Sequence, residues 1–131
     1  MEQFDIHTAS TAALAYFGDS VIELLVRNRL VLKGYTSSKS LNAHARHFVS
    51  APAQAEAMER LLPYLNEAEA AVFRRGRNVG HTNTPKNATV AQYRSATGME
   101  ALFGYLYLAG EEARARELFA LAYPENKEDE K

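Results

Sequence analysis

The chain has 131 residues, a formal net charge of −1, 47% hydrophobic residues and no cysteine. This length suits one domain with its own core, and the lack of cysteine excludes disulfide bonds, thiol catalysis and thiolate metal ligands. Because the net charge is near zero, any site that binds a polyanion must come from a local basic patch. The sequence contains neither a signal peptide nor an apolar run long enough to span a membrane. We therefore expect a cytoplasmic protein with no membrane partner.

The first third of the chain carries a helical pattern. Apolar residues at helical spacing predict a first helix over about residues 10–33, which Gly34 ends. The same reasoning predicts a second helix over Ser38–Val49. Neither segment shows the alternation of apolar and polar residues that is typical of a half-buried strand.

Start signals predict two further helices in the middle of the chain. Ser50 is expected to cap a third helix, which reaches about residue 62. Asn66, followed three residues later by Glu69, is typical of a capping box. This pair predicts a fourth helix over about residues 67–75.

The pattern changes at residues 76–89, which hold Gly, Pro, Asn and Thr and almost no large apolar side chain. We predict a long polar loop here, and such loops in compact domains are usually functional or disordered. A strongly apolar helix is predicted next, over about residues 90–109, and a last helix over about residues 111–123.

These elements predict an all-α fold, a compact helical bundle with short connections. We expect one domain over residues 1–124, followed by a charged, disordered tail at residues 125–131. No repeat and no linker to a second domain is recognisable.

Two carboxylates lie among apolar residues. Asp19 follows Gly18 in the first helix, and Glu100 lies in the strongly apolar one. Such a carboxylate must be ion paired, hydrogen bonded or bound to a metal, so a structural ion pair and a metal or catalytic site both stay open. Glu23 is one turn beyond Asp19 on the same helix face and could either join such a site or pair with Arg27.

Five stretches in register carry a family resemblance over most of the chain. They are residues 13–21 (ALAYFGDSV), 49–55 (VSAPAQA), 74–78 (RRGRN), 84–87 (TPKN) and 97–106 (TGMEALFGYL). The first and last resemble the two acidic helices of ribonuclease III catalytic domains. The other three are similar to the Mini-III branch of that family, which lacks a double-stranded-RNA-binding domain.

The resemblance implies a helical bundle of the ribonuclease III endonuclease type that uses Mg²⁺, with Mn²⁺ able to substitute, to cleave double-stranded RNA. It further implies maturation of the large-subunit (23S) ribosomal RNA precursor, with a ribosomal protein as a helper. By position, Asp19 and Glu100 match essential metal-site carboxylates. Ala15 and Thr97 stand where the wider family has further acidic residues, so a reduced metal site is implied. Glu23, and Thr97 through a water, are the additional candidate ligands.

Local positive charge surrounds the polar loop, because no acidic residue occurs between residues 70 and 99. Such a run is expected for phosphate binding, and a solvated loop is the alternative. Asn and Thr side chains suit duplex RNA, which is read through phosphates and 2′-hydroxyls. The residues predicted to bind RNA are Arg74, Arg75, Arg77, Asn78, Thr84, Lys86, Asn87 and Arg94.

The resemblance also implies a homodimer formed through the signature helix. An RNA duplex has two strands, and a two-fold dimer would supply two acidic clusters related as the strands are. Tyr16, Phe17 and Gly18 are the predicted interface residues, with Gly18 allowing a close helix crossing there.

Two other functions stay open on the sequence. One is a catalytically silent module that binds double-stranded RNA, against which the retained Asp19 and Glu100 argue. The other is a helical interaction module with ordinary buried ion pairs, against which the basic stretch argues.

Overall fold

The computed structural model describes residues 4–79 and 87–125, and over these ranges the chain forms α-helices and no strand. The helices are α1 (Thr11–Leu32), α2 (Ser38–Val49), α3 (Ala51–Leu61), α4 (Glu67–Arg77), α5 (Val90–Leu108) and α6 (Glu112–Ala122). One turn of 3₁₀ helix, Leu62–Tyr64, follows α3. The all-α prediction is therefore confirmed.

Side-chain caps set the helix starts. Ser50 caps α3 as predicted, its hydroxyl accepting a backbone hydrogen bond of 3.3 Å. Asn66 and Glu69 form the predicted capping box of α4, with hydrogen bonds of 2.8 and 3.0 Å. Thr89 and Gln92 form a second capping box, which was not predicted, and they set the start of α5.

The predicted end of α4 was wrong by two residues, since the helix continues through Arg77. Gly76 is buried against α5, where a Cβ atom would lie 2.8 Å from the Gly98 Cα and 2.8 Å from the Ala101 Cβ. Tertiary packing therefore keeps Gly76 in the helix, although glycine has a low intrinsic helix propensity. Residues 80–86, the middle of the predicted loop, lie outside the described residues.

Helix α5 is the centre of the bundle and packs against α1, α3, α4 and α6. Its side chains at Met99, Leu102, Phe103 and Leu106 are fully buried. A helix that is covered on several sides needs apolar residues around most of its circumference, which explains the strongly apolar sequence of this segment.

Helices α1 and α5 meet through their backbones at two glycines. A Cβ atom at Gly18 would lie 1.6 Å from the carbonyl oxygen of Glu100, and one at Gly104 would lie 2.1 Å from the carbonyl oxygen of Leu14. The close helix crossing predicted at Gly18 therefore exists, but it is formed within one chain. Gly18 is buried by α5 of its own chain, so the crossing at this glycine is intramolecular.

The C-terminal end of the described chain is held by an ion pair. Glu125, predicted to begin the charged tail, lies 3.5 Å from the Arg29 guanidinium. The remainder of that predicted tail, residues 126–131, lies outside the described residues. Within the described ranges, no helix has the length and apolar character needed to cross a membrane.

Candidate active site

The glycine contact between α1 and α5 brings two carboxylates together. Gly18 contacts the backbone carbonyl of Glu100, so that Asp19, the next residue on α1, lies beside Glu100. The two carboxyl groups are close enough to interact electrostatically. Asp19 is exposed to solvent and Glu100 is partly buried. The two residues that the sequence singled out are thus neighbours in the fold.

The electrostatic surroundings of Glu100 are unusual for a carboxyl group. Burial and the negative charge of Asp19 raise the pKa of Glu100 to about 8. The Glu100 carboxyl therefore holds a proton at neutral pH when no cation is bound beside it. In the described part of the chain, no basic side chain forms an ion pair with either residue. The structural ion pair that the sequence left open is not found there.

The donor chemistry of this pair fits Mg²⁺. That ion prefers oxygen ligands and is commonly bound by one or two carboxylates together with waters and substrate phosphates. Among residues 4–79 and 87–125, no group of three or more acidic, His or Cys side chains is arranged to hold a metal. Ala15, one turn before Asp19, is an apolar core residue that is 7% exposed. A metal bound here would therefore have Asp19 and Glu100 as its carboxylate ligands, and waters or substrate oxygens would fill its other positions.

The two additional candidate ligands differ in position. Thr97 is one turn before Glu100 on α5, and its hydroxyl donates a hydrogen bond of 3.1 Å to the Tyr93 carbonyl. Its oxygen can still accept a hydrogen bond from a water. Glu23 is instead exposed and lies 3.4 Å from the Arg27 guanidinium. The structure therefore shows Glu23 in the exposed ion pair that the sequence allowed, outside the Asp19–Glu100 pair.

A cleft of about 360 Å³ opens beside Glu100, between the start of α3 and α5. Thr97 and Glu100 line it from α5, while Ser50 and Gln54 line it from α3, and Asn87 from the segment before α5. Residues 49–55 belong to the stretches that carry the family resemblance, but their sequence alone indicates no role for them. Only the packing of α3 on α5 reveals that they border the carboxylate pair.

Three of the predicted RNA-binding arginines are positioned by the packing of α4 on α5. Gly76 lies against the backbone of Thr97, where its Cβ would be 3.2 Å from the carbonyl oxygen. Arg74, Arg75 and Arg77 flank this glycine and are exposed. The basic end of α4 therefore lies beside the helix turn that precedes Glu100.

A second cleft, of about 420 Å³, is lined by Arg77, Asn78 and Arg94. In the described ranges, none of the predicted RNA-binding arginines forms an ion pair with an acidic side chain. Their charge is thus available to a ligand. Thr84 and Lys86, also predicted to bind RNA, lie outside the described residues.

The three predicted dimer residues have different surroundings. Tyr16 is 85% exposed. Phe17 is partly buried and its ring packs edge-on against Tyr107, with the centroids 6.1 Å apart. Gly18 is covered by α5, so Tyr16 is the member of this set that offers a large free apolar surface.

Comparison with known proteins places this geometry in context. The Ribonuclease III domain family model matches residues 12–111, a span that contains both Asp19 and Glu100. The chain is similar to Mini-ribonuclease 3 of Symbiobacterium thermophilum, with 45% identity over 88% of each chain. It is similar to Mini-ribonuclease 3 of Brevibacillus brevis, with 40% identity over 91% of this chain and 89% of that one.

A solved structure shares the fold. The crystal structure of protein FN1578 from Fusobacterium nucleatum superposes with a TM-score of 0.79 at 28% sequence identity. The match covers 91% of this chain and 96% of that protein. The helical arrangement described above is therefore found in a crystallographically determined protein.

Proposed function

Since this chain belongs to the ribonuclease III family, in its Mini-ribonuclease 3 branch, and is an endoribonuclease, we propose that it cleaves double-stranded RNA with Mg²⁺ and matures the 23S ribosomal RNA precursor. Enzymes of this family act on double-stranded RNA. The observation that carries the proposal is the adjacent pair of carboxyl groups of Asp19 and Glu100, which has no ion pair with a basic side chain among the described residues.

Asp19 and Glu100 would hold the Mg²⁺. When bound, the ion lowers the pKa of a coordinated water and offsets negative charge at the scissile phosphate. The exposed Asp19 presents its carboxylate at the protein surface, where RNA can approach. Glu100 is partly buried beside Asp19, and the Thr97 hydroxyl lines the same cleft, where we propose that it orients a water.

The basic end of α4 would hold the duplex through its phosphates. Arg74, Arg75, Arg77 and Arg94 supply charge that is not used by acidic side chains of the described chain. Lys86 and Thr84 are proposed to add contacts from the adjoining segment. Because phosphate contacts position a protein without reading sequence, this surface accounts for binding and not for the choice of cleavage site.

We propose that two copies of the chain act together, one for each strand of the duplex. Tyr16 is the residue that we expect to contact the second copy, because a large side chain that is 85% exposed has much apolar area left to bury. We also propose a cytoplasmic location, and a ribosomal protein as the helper that presents the precursor RNA.

The test is a cleavage assay on 23S precursor RNA and on a plain RNA duplex, with and without Mg²⁺. Asp19→Asn and Glu100→Gln should each lower kcat by about 1000-fold or more, as expected when several kcal/mol of metal-assisted stabilisation are lost. Glu23→Gln is the matched control, since it removes a carboxylate from the same helix face, and it should cleave at the wild-type rate.

The outcomes separate the alternatives. Cleavage by Asp19→Asn at the wild-type rate would disprove the site assignment. Binding of the duplex without cleavage by the wild type would favour a silent RNA-binding module. If the protein cleaves the plain duplex but cuts the 23S precursor at random positions, it is a nuclease for double-stranded RNA, and its proposed role in 23S maturation is rejected.

A further inference from the structure

One buried polar side chain near the carboxylate pair is unaccounted for by the proposed function. Gln54 is 2% exposed and lines the cleft that also contains Glu100. Its backbone N–H is bonded to the Ser50 carbonyl, at 2.9 Å. Its side-chain amide has no hydrogen-bond partner in the described chain. A buried amide without a partner costs about 1–3 kcal/mol, so its presence calls for an explanation.

The lining of the cleft limits the chemistry of a ligand that could satisfy Gln54. Its described residues include hydroxyl, amide and carboxyl groups but neither Lys nor Arg. The arginines line the other cleft, with Arg77 and Arg94, and an RNA phosphate would bind there in preference. A carboxamide both donates and accepts hydrogen bonds, so its best partner is a neutral group that does the same.

In duplex RNA, the group with this property at every nucleotide is the ribose 2′-hydroxyl. It is displayed along the wide, shallow minor groove and can both donate and accept a hydrogen bond. A ribose that enters this cleft would lie next to Glu100, which is proposed to hold the Mg²⁺ at the reacting phosphate, since Gln54 and Glu100 line the same space.

We propose that Gln54, in the cleft between α3 and α5, binds the 2′-hydroxyl of one ribose adjacent to the scissile phosphate. This contact would distinguish RNA from DNA at the cleavage position. This inference rests on the proposed function, because it takes duplex RNA to be the ligand. It gives the 49–55 motif a role in substrate discrimination.

The test combines a protein change with a substrate change. Gln54→Leu replaces the amide by an apolar side chain of similar size, and the RNA duplexes carry a single 2′-deoxyribose at each position around the cleavage site in turn. For the wild type, one position should lower kcat/KM by about 10-fold, the size expected for one neutral hydrogen bond. Gln54→Leu should show a similar loss on all-ribose RNA and no further loss at that position.

Controls separate recognition from packing. Met58→Leu changes another buried side chain of α3 and should keep the wild-type sensitivity to the deoxyribose. Thermal unfolding of Gln54→Leu should give a Tm at or above the wild-type value, because the variant no longer buries an unpaired amide. A lowered Tm with equal sensitivity at every ribose would identify Gln54 as a packing residue and overturn the proposal.

Further readouts keep the result decisive. If Gln54→Leu does not fold, the deoxyribose scan on the wild type alone overturns the proposal when no single sensitive position exists. The loss of kcat/KM caused by Gln54→Leu could instead depend on which base pair is present and not on the deoxyribose. In that case Gln54 binds the edge of a base, and the proposal fails. Dissociation constants measured with Asp19→Asn test the same coupling without cleavage, so failure of the proposed function is distinguishable from failure of this inference.

Discussion

Gly18 and Gly104 lie against each other across the α1–α5 contact, each so close to the opposite helix that a Cβ atom would come within about 3 Å of the other glycine's backbone nitrogen. This contact fixes the separation of the helices that carry Asp19 and Glu100. Backbone, unlike the end of a flexible side chain, cannot move aside to admit a methyl group. The positions of Asp19 and Glu100 therefore depend on Gly18 and Gly104, two residues that have no side chain.

Gly18→Ala should lower the free energy of unfolding by about 3 kcal/mol or more, because the added methyl group forces the two backbones apart. Chemical denaturation followed by circular dichroism measures this change. Asn28→Ala, at an exposed position of the same helix, is the control and should leave stability within about 0.5 kcal/mol of the wild type. An unchanged midpoint for Gly18→Ala would contradict the packing described here.

Mg²⁺ should bind weakly to the free protein and more tightly to its complex with RNA, because two carboxylates leave most of the octahedral positions to water and phosphate oxygens. Calorimetry with the free protein and with the protein bound to a cleaved product duplex measures the difference. Glu23→Gln should not alter either titration. Tight Mg²⁺ binding by the free protein would argue against a site of this reduced kind.

Arg77→Ala should weaken duplex RNA binding and reduce the slope of log affinity against log salt concentration by about 1, since one phosphate contact is lost. Filter binding at several salt concentrations gives the slope. Arg116→Ala removes an exposed arginine of α6 that lies 4.0 Å from Glu112, and it should leave the slope unchanged. Equal slopes for the wild type and Arg77→Ala would show that this residue does not contact phosphate.

Tyr16→Glu should convert a dimer into a monomer, because it places a charge where an exposed aromatic ring is proposed to be buried. Light scattering at micromolar concentration measures the mass. Tyr64→Glu is the matched control, being an equivalent change at a tyrosine that is 54% exposed on the 3₁₀ turn. A monomeric wild type would reject the proposed dimer.

Glu69 and Arg114 form a buried ion pair that joins α4 to α6. Two guanidinium nitrogens of Arg114 donate hydrogen bonds of 2.9 Å to the Glu69 carboxylate, whose side chain is 2% exposed. The hydrogen bond from Arg114 holds the pKa of Glu69 below its ordinary value of 4.5, against the opposing effect of burial, with help from the Asn66 backbone.

A lowered pKa in the folded state makes this stabilisation dependent on pH in one direction. It is fully present above pH 4.5, the ordinary pKa of the carboxyl group, and is lost as the pH falls through the lowered value. Glu69→Gln should therefore cost about 2 kcal/mol at neutral pH and progressively less in acid. Urea unfolding across this range measures it, with Glu67→Gln, exposed on the first turn of α4, as the control. A cost that grows in acid would contradict the assignment.

The sequence predicted the helices well where local signals determine them. Ser50 and the Asn66–Glu69 box cap helices through contacts within a few residues, so they are readable from the chain alone. The extension of α4 through Gly76 was missed because it depends on contact with Gly98 of α5, which local propensity does not contain.

The candidate site was predictable to a different degree. Asp19 and Glu100 stood out as carboxylates in apolar surroundings, but residue pattern alone left an ion pair open, and their proximity followed from the family resemblance. Gln54 could not be recognised as part of the site, because its place beside Glu100 arises from the packing of α3 on α5. Gly18 was expected at a close helix crossing, and the crossing that the structure describes is with α5 of the same chain.

The central position of α5 also bears on how the protein is made. Synthesis from the N-terminus delivers α1 through α4 before the helix against which α1, α3 and α4 pack, so these helices leave the ribosome with their apolar faces uncovered. Asp19 likewise has no carboxyl group beside it until Glu100 has been synthesised. A nascent chain that still lacks α5 therefore has neither the central helix of the bundle nor the carboxyl group that pairs with Asp19, so the core and the candidate site are completed in the same step of synthesis.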